Sequence, residues 1–201
     1  MGVLKAVPEY PQSWPMPKSP IPIVIFGAGS IVSDAHLPAY KFSNLPVKGI
    51  YDPDYDKAKK LGQIYNIKVF KDASDAAAEK DVVFDLAIPP SVHREVIETL
   101  PKNSPVILQK PMGSDLNEAS KILSLCHQKS LKACVNFQLR FAPLMIALKD
   151  IIDQGLIGQV VDVDMWAALD TPWGLWKFLE GLPRVEILSV SYTHLTLPTK
   201  A

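Results

Sequence analysis

Two glycines directly after an apolar run are the residues whose spacing points most clearly to chemistry. Residues 21–26 are apolar, Gly27 and Gly29 follow at once, and residues 31–37 have the pattern of a first helical segment. In such a strand–turn–helix, Gly27 permits the tight turn, and Gly29 lets a pyrophosphate approach closely because it has no Cβ. The helix N-terminus then offers free N–H groups and a positive dipole end. The pattern predicts dinucleotide contacts at Gly27, Ala28, Gly29, Ser30 and Ile31.

An acidic residue at the end of the next apolar run supports this prediction. Residues 47–51 are apolar and lead to Asp52, 25 residues beyond Gly27. Such sites place an acid at a spacing of roughly 20 residues. A carboxylate there accepts the adenosine ribose hydroxyls and repels a 2′-phosphate, so the predicted cofactor is NAD, with NADP disfavoured. Val32 stands where the motif has its third glycine. A turn without a ligand, with Asp52 as a solvated loop residue, therefore stays an alternative.

Polar residues and prolines also follow three later apolar runs. The carboxyl ends of parallel strands meet at one edge of a sheet, where an open α/β fold binds its ligand. The alternatives are that His93 is a solvated helix residue and that Arg140 forms an ordinary salt bridge. His36 and His127 are predicted to be structural or exposed. The candidate contacts at these ends are Ile88, Pro89, Pro90, His93, Gln109, Lys110, Asn136 and Arg140.

The elements that must position these residues alternate along the chain. Apolar runs over residues 68–70, 82–88, 106–108 and 133–137 continue the series, with helical patterns between them. Asp54 and Asp115 have the position of helix N-caps, and Asp115 is followed three residues later by Glu118. Strands that alternate with helices predict parallel βαβ units. The predicted fold class is α/β, a doubly wound Rossmann sheet followed by the beginning of an incomplete α+β domain.

Composition shifts divide the chain into four predicted segments. Residues 1–20 are rich in proline and predict an extended tail. Residues 21–138 carry the Rossmann pattern. Residues 139–188 predict the truncated start of a second domain, with a helix over 144–152 and alternating strand residues at Val161, Val163 and Met165. Residues 189–201 change in character and resemble translated vector sequence, so they are predicted to be non-native.

Charge and cysteine content narrow the possible function classes. Lys plus Arg and Asp plus Glu number 21 each, so no charge field favours nucleic acid or an anionic membrane. The sequence shows neither a membrane-length apolar run nor a signal peptide. Cys126 and Cys134 are the only cysteines; they are predicted to be buried reduced thiols, too few for a zinc site. The expectation is a cytoplasmic protein without a metal.

Several motifs in order resemble one family. It comprises the glucose-fructose oxidoreductase, inositol dehydrogenase and rhizopine-catabolism (Gfo/Idh/MocA) oxidoreductases. The likeness covers about residues 21–188. The matching pieces are Gly27-Ala28-Gly29-Ser30-Ile31, Asp34-Ala35-His36-Leu37-Pro38-Ala39-Tyr40, Tyr51-Asp52, Ile88-Pro89-Pro90 with His93, Gln109-Lys110-Pro111, and Asn136-Phe137-Gln138-Leu139-Arg140-Phe141.

The resemblance implies a nicotinamide-dependent oxidoreductase that acts on a small sugar, inositol or related polyol, and a homo-oligomer for a full-length relative. The family's Glu-Lys-Pro motif places a lysine beside the nicotinamide, which makes Lys110 the candidate catalytic residue. Gln109 departs from that motif. Loss of the carboxylate either lowers the pKa of Lys110, because the ammonium form is less favoured, or only removes an ion pair. The family's acid–base histidine is expected beyond residue 188, so this copy is predicted to be truncated and inactive. The alternative is a non-catalytic NAD(H)-binding sensor or partner subunit.

Overall fold

A six-stranded parallel sheet forms the centre of the fold. Its strands are β1 (Ile23–Phe26), β2 (Val47–Tyr51), β3 (Lys68–Val69), β4 (Val83–Leu86), β5 (Pro105–Leu108) and β6 (Lys132–Val135). They lie in the order β3-β2-β1-β4-β5-β6, and each neighbouring pair is parallel. This is the strand order of a doubly wound Rossmann sheet. The predicted α/β class is confirmed.

The computed structural model describes residues 10–164. They fall into two units: Pro17–Asn136, which contains the sheet, and a second unit formed by the chain on either side of it. The predictions for residues 1–9, for the strand residue Met165 and the chain that follows it, and for the non-native tail over 189–201 lie outside the described residues.

Burial on both faces explains why the central strands read as continuous apolar runs. Val24 and Phe26 belong to one buried cluster, whereas Ile23 and Ile25 belong to another. Because successive side chains of a strand point to opposite faces, β1 is covered from both sides, and all four of its residues are buried. The sheet therefore holds the turn after β1 in a fixed place.

Helices connect successive strands. Within the sheet unit they are α1 (Leu37–Phe42), α2 (Tyr55–Tyr65), α3 (Ala73–Ala77), α4 (His93–Thr99) and α5 (Leu116–Gln128), with a π-helical turn (Val32–His36) before α1 and a 3₁₀ turn (Pro90–Val92) before α4. The Asp54 carboxylate accepts the Lys57 N–H at 3.4 Å, and that of Asp115 accepts the Glu118 N–H at 2.8 Å. Both predicted N-caps are confirmed.

Three expectations differ from the structure. The run over residues 82–88 yields the shorter strand β4, because its last residues form the loop at the sheet edge. Cys134 is exposed, unlike the buried Cys126, because β6 is an edge strand with little cover. Val161 and Val163 form no strand within the described chain; a single strand has no partner there to complete its hydrogen bonds.

The second unit contains a 3₁₀ turn (Gln138–Phe141) and α6 (Pro143–Asp153). The helix agrees with the prediction for residues 144–152. Trp14 packs edge-on against Phe141, with ring centroids 5.6 Å apart. Across residues 10–164, no helix combines the length and apolarity needed to cross a membrane.

Candidate functional site

The carboxyl ends of the strands bring most of the candidate residues of the sheet unit to one edge. Backbone hydrogen bonds connect these ends: Gly27 N–H donates to Tyr51 O at 2.7 Å, and Gln109 N–H donates to Leu86 O at 3.2 Å. The chain order of the strands reverses between β1 and β4, which is the topological switch point where such sheets bind ligands. The glycine turn after β1 lies at this point.

The two glycines have different roles in the turn. Gly27 has φ +106°, and a Cβ there would lie 2.3 Å from the Ala87 carbonyl oxygen, so the fold itself requires glycine. A Cβ on Gly29 would meet no heavy atom within 4 Å. The space beside Gly29 is therefore open to a ligand. Packing within the protein does not explain a glycine at position 29, whereas close approach of a pyrophosphate does.

The first helical residues after the turn are exposed. Val32 N–H donates to Gly29 O at 3.0 Å as the first hydrogen bond of the helical segment. The N–H groups before it therefore have no acceptor within the helix, as at any helix N-terminus. Ser30 and Ile31, both predicted contacts, lie here on the surface. Val32, at the place of the missing third glycine, is fully buried in the core.

Asp52 connects the end of β2 to the glycine turn. Its Oδ2 accepts the Ala28 N–H at 2.6 Å, and its Oδ1 accepts the Asp54 N–H at 2.8 Å. The carboxylate thus lies beside the turn while remaining partly exposed. Open space at Gly29, exposed helical N–H groups and a carboxylate beside them fit a dinucleotide.

Lys110 follows β5 and is half-buried. Its backbone N–H donates to the Gln109 side-chain oxygen at 3.1 Å, and its peptide bond to Pro111 is cis. Burial lowers the pKa of the Lys110 ammonium. Within residues 10–164 this ammonium forms no salt bridge, so a neighbouring carboxylate does not offset the desolvation. A lysine in this setting gives up its proton more readily than a solvated one, so a larger fraction of it is the neutral amine that can accept a proton.

A buried polar network lies behind Gln109, and sequence analysis missed it. Gln109 Nε2 lies 2.7 Å from His36 Nε2, and His36 Nδ1 lies 2.6 Å from Asp85 Oδ2. Tyr40 Oη donates to the same Asp85 oxygen at 2.9 Å. His36 is 8 % exposed and Asp85 0 %. The signals were an acid inside an apolar run and a His–Tyr pair four residues apart on one helical segment.

His93 is fully buried, so the solvated alternative for this residue is wrong. Its Nδ1 lies 3.0 Å from the Met112 carbonyl oxygen and donates to it. Burial lowers the pKa of His93, while contacts with backbone carbonyls, first that of Met112, oppose the shift. The side chain holds the segment after Lys110 against the start of α4. Direct contact of His93 with a cofactor stays a prediction.

The remaining candidates fall in two places. Ile88, Pro89 and Pro90 form the partly exposed loop after β4. Asn136 ends the sheet unit, where its N–H donates to Leu108 O at 2.8 Å. Arg140 is exposed in the 3₁₀ turn of the second unit. The structure therefore brings the candidate residues of the sheet unit together at one edge, while Arg140 belongs to the second unit and its contact with a cofactor stays a prediction.

Comparison with known proteins adds a family and two curated relatives. A family model described as "Oxidoreductase family, NAD-binding Rossmann fold", GFO_IDH_MocA, matches residues 21–137. The Salmonella typhimurium protein YceM, named an oxidoreductase, is 31% identical over 128 residues, which cover 63% of this chain and 42% of that protein. The glucose-6-phosphate 3-dehydrogenase of Bacillus subtilis is 27% identical over 143 residues, covering 70% and 40% of the two chains.

A solved structure shares the fold. A 3-ketoreductase from Actinomadura kijaniata, crystallised with NADP and TDP-benzene, superposes with a TM-score of 0.57 at 22% identity, over 70% of this chain and 44% of that one. The present chain thus spans less than half the length of each of these three proteins. The matched part includes the sheet and its carboxyl edge.

Proposed function

The chain belongs to the Gfo/Idh/MocA family of oxidoreductases, and on that basis we propose that its sheet edge binds NAD in preference to NADP. In this proposal the complete enzyme transfers a hydride between the nicotinamide and a hydroxyl-bearing carbon of a sugar or polyol. One observation carries the cofactor proposal: Asp52 accepts the Ala28 N–H, so a carboxylate lies beside the turn that would hold the pyrophosphate.

Cofactor choice differs within this fold, since the Actinomadura kijaniata enzyme was crystallised with NADP. A 2′-phosphate at this edge would face the Asp52 carboxylate. Lys57, the first cation on α2, pairs with Asp54 at 3.1 Å. The proposal of NAD therefore rests on the local charge of this chain.

The proposed substrate class follows from the relatives. One is named for its action on glucose 6-phosphate, and the sharing of the Rossmann unit supports similar redox chemistry at a carbon that bears oxygen. We also propose a cytoplasmic setting, in which the free cysteines Cys126 and Cys134 would stay reduced.

Lys110 has the proposed catalytic role. A bound nicotinamide would supply the hydride donor or acceptor at its C4. Lys110 would orient the substrate hydroxyl and accept its proton during oxidation, which its burial favours because desolvation stabilises the neutral amine. Gln109 holds the backbone of Lys110 through the 3.1 Å hydrogen bond and adds no negative charge beside it.

We further propose that the 201-residue polypeptide binds NADH without turnover on sugars or polyols. The chain spans 40% of the Bacillus subtilis dehydrogenase, and catalysis needs a wall that holds the substrate and a partner for proton transfer. Loss of orientation and of proton transfer together removes several orders of magnitude in rate. Oligomer formation is proposed only for the full-length protein.

Calorimetric titration with NADH and NADPH tests the binding proposal. The expected result is saturable NADH binding at one site and weaker NADPH binding. Equal or tighter NADPH binding would reject the preference, and absence of binding would reject the site. Lys110→Met should leave NADH affinity within about threefold, because the lysine is assigned to the substrate rather than the pyrophosphate.

A non-catalytic NAD(H)-binding sensor or partner subunit is the second candidate. Gln109 favours this candidate, because it replaces the family's glutamate and its side chain is hydrogen-bonded to His36. Assay of a full-length gene product separates the two. Turnover that falls on Lys110→Met supports the enzyme, whereas unaltered NADH binding with no turnover on any polyol supports the sensor.

A further inference from the structure

Asp85 is an ionisable residue at the centre of a parallel sheet. It lies on β4 between neighbours on β1 and β5, with Ile25 and Ile107 as its register partners. Its side chain is fully buried, and its Oδ1 has no hydrogen-bond partner among the described residues. Burying a carboxylate costs several kcal/mol unless its contacts compensate. A leucine or valine would fill this place at less cost, so the carboxylate calls for an explanation beyond packing.

The hydrogen bonds that start at Lys110 have a defined direction. The Lys110 N–H donates to Gln109 Oε1, so the amide presents its Nε2 to His36. An amide nitrogen is only a donor, so His36 Nε2 must be the unprotonated acceptor of the ring. The proton of the neutral ring is then on Nδ1, from which it is donated to Asp85 Oδ2. In this arrangement each link of the chain joins one donor to one acceptor.

We propose that Asp85 is a positioning residue for Lys110, and that Gln109 is matched to Asp85 through His36. The carboxylate selects the Nδ1–H form of His36, this ring orients the Gln109 amide, and the amide oxygen holds the Lys110 backbone. The consequence for catalysis rests on the proposed function of Lys110. The hydrogen-bond chain itself is a property of the protein without ligand.

The same chemistry explains glutamine at position 109. With Asp85 at one end, a neutral His36 turns an acceptor nitrogen towards position 109. A glutamate there would present a second acceptor, and the contact would form only if the ring gained another proton between two carboxylates. The glutamine avoids this conflict because its amide both donates to His36 and accepts from Lys110.

Tyr40 is a side branch of the network rather than a link in it. Its hydroxyl donates to the Asp85 oxygen that His36 also contacts. Burial, followed by the charge of Asp85, raises the pKa of Tyr40 above its ordinary range. The hydroxyl therefore remains a donor, and it helps to stabilise the carboxylate without touching Gln109 or Lys110.

NMR of the full chain without cofactor tests the proposal. Long-range ¹H–¹⁵N spectra should show His36 in the Nδ1–H form at neutral pH. In Asp85→Asn, the introduced amide nitrogen can take the place of Oδ2 and donate both to the ring and to the Tyr40 oxygen, while the amide oxygen takes the unpartnered place of Oδ1. His36 should then change to the Nε2–H form, the Gln109 amide should turn, and exchange of the Lys110 N–H should rise about tenfold.

A second substitution should reverse that loss. In Asp85→Asn/Gln109→Glu the introduced carboxylate can accept from both the ring Nε2–H and the Lys110 N–H. Slow exchange at Lys110 should return while His36 stays in the Nε2–H form. Tyr40→Phe is the matched control: it removes a contact of Asp85 outside the chain of bonds, so both signals should remain as in the wild type.

An Nε2–H ring in the wild type would overturn the proposal, and this measurement does not depend on how any variant folds. A folded Asp85→Asn with unchanged Lys110 exchange would also overturn it, since Asp85 would then be only structural. NADH titration of the same samples separates this outcome from the proposed function. If the wild-type protein binds NADH but His36 is in the Nε2–H form, only the positioning role is rejected. If His36 is in the Nδ1–H form but NADH does not bind, only the cofactor site is rejected.

Discussion

Among single residues, the Asp52 carboxylate has two roles at the sheet edge. It fixes the glycine turn through Ala28, and in the proposed function it also accepts the hydroxyls of the adenosine ribose. Asp52→Ala should weaken NADH binding about tenfold or more, since hydrogen bonds to a charged group are lost. The affinity for NADPH should fall less, because removal of the carboxylate also removes its repulsion of the 2′-phosphate.

Calorimetry of both cofactors on this variant provides the measurement. Asp56→Ala is the matched control, because Asp56 is an exposed carboxylate in the first turn of α2. It should leave both affinities unchanged. An Asp52→Ala protein with the wild-type ratio of NADH to NADPH affinity would show that the carboxylate serves only the turn.

The same side chain placed at the two glycines should have opposite effects. Gly27→Val should lower the free energy of unfolding by about 3 kcal/mol or more, because it forces a branched residue into positive φ and against the Ala87 carbonyl. Gly29→Val has free space and should leave stability within about 0.5 kcal/mol. It should nevertheless weaken NADH binding about a hundredfold, because the side chain fills the space proposed for the pyrophosphate.

Urea unfolding and NADH titration of both variants provide the comparison. A Gly29→Val protein with wild-type affinity would identify the segment as a turn without a ligand.

The role of Gly29 could be predicted from the sequence, since a strand, a glycine and a helix form a local pattern. Asp85 and His36 escaped because their contact joins residues far apart in the chain, which periodicity does not report.

At the scale of elements, His93 connects α4 to the segment after β5. Burial lowers the pKa of His93 from its ordinary value of 6.5. Below pH 6.5 the unfolded chain therefore binds a proton that the folded chain does not, and acid favours unfolding. Stability should rise with pH towards 6.5 and then level off for this group. The slope is at most about 1.4 kcal/mol per pH unit.

His93→Gln should remove this slope, because glutamine does not titrate in this range. Urea unfolding at pH 7.5 and pH 5.5 should show that the wild type loses up to about 1 kcal/mol more than the variant. Contributions from other groups cancel in this difference, provided that the variant folds alike. Equal losses in both proteins would mean that His93 is open to solvent in the folded state.

Elements were more predictable than contacts because they follow from local patterns. Apolar runs revealed the strands, and Asp54 and Asp115 marked helix starts, since a cap needs only neighbours a few residues away. Strand ends were less accurate: the run over residues 82–88 contains β4 and the loop after it. Apolar loop residues such as Ile88 look like strand residues in sequence, although they lie where pairing has ended.

At the scale of the whole molecule, the sheet unit has its own core and most of the site. Both buried clusters consist of residues within Pro17–Asn136. All of the candidate cofactor residues except Arg140 are also there. A fragment of residues 17–136 should therefore fold alone and bind NADH within about threefold of the affinity of the full chain.

Circular dichroism with thermal unfolding tests whether the fragment folds, and calorimetry tests whether it binds NADH. Two variants show which residues the binding depends on. Arg140→Ala in the full chain should have no effect if the site lies within the sheet unit. Gly29→Val in the fragment should weaken NADH binding about a hundredfold, as in the full chain, and thereby show that the fragment uses the glycine turn. A folded fragment that has lost more than about tenfold in affinity, together with an equal loss in Arg140→Ala, would instead establish Arg140 as a cofactor contact. Because both measurements compare affinities in folded proteins, a change in stability alone would not produce this result.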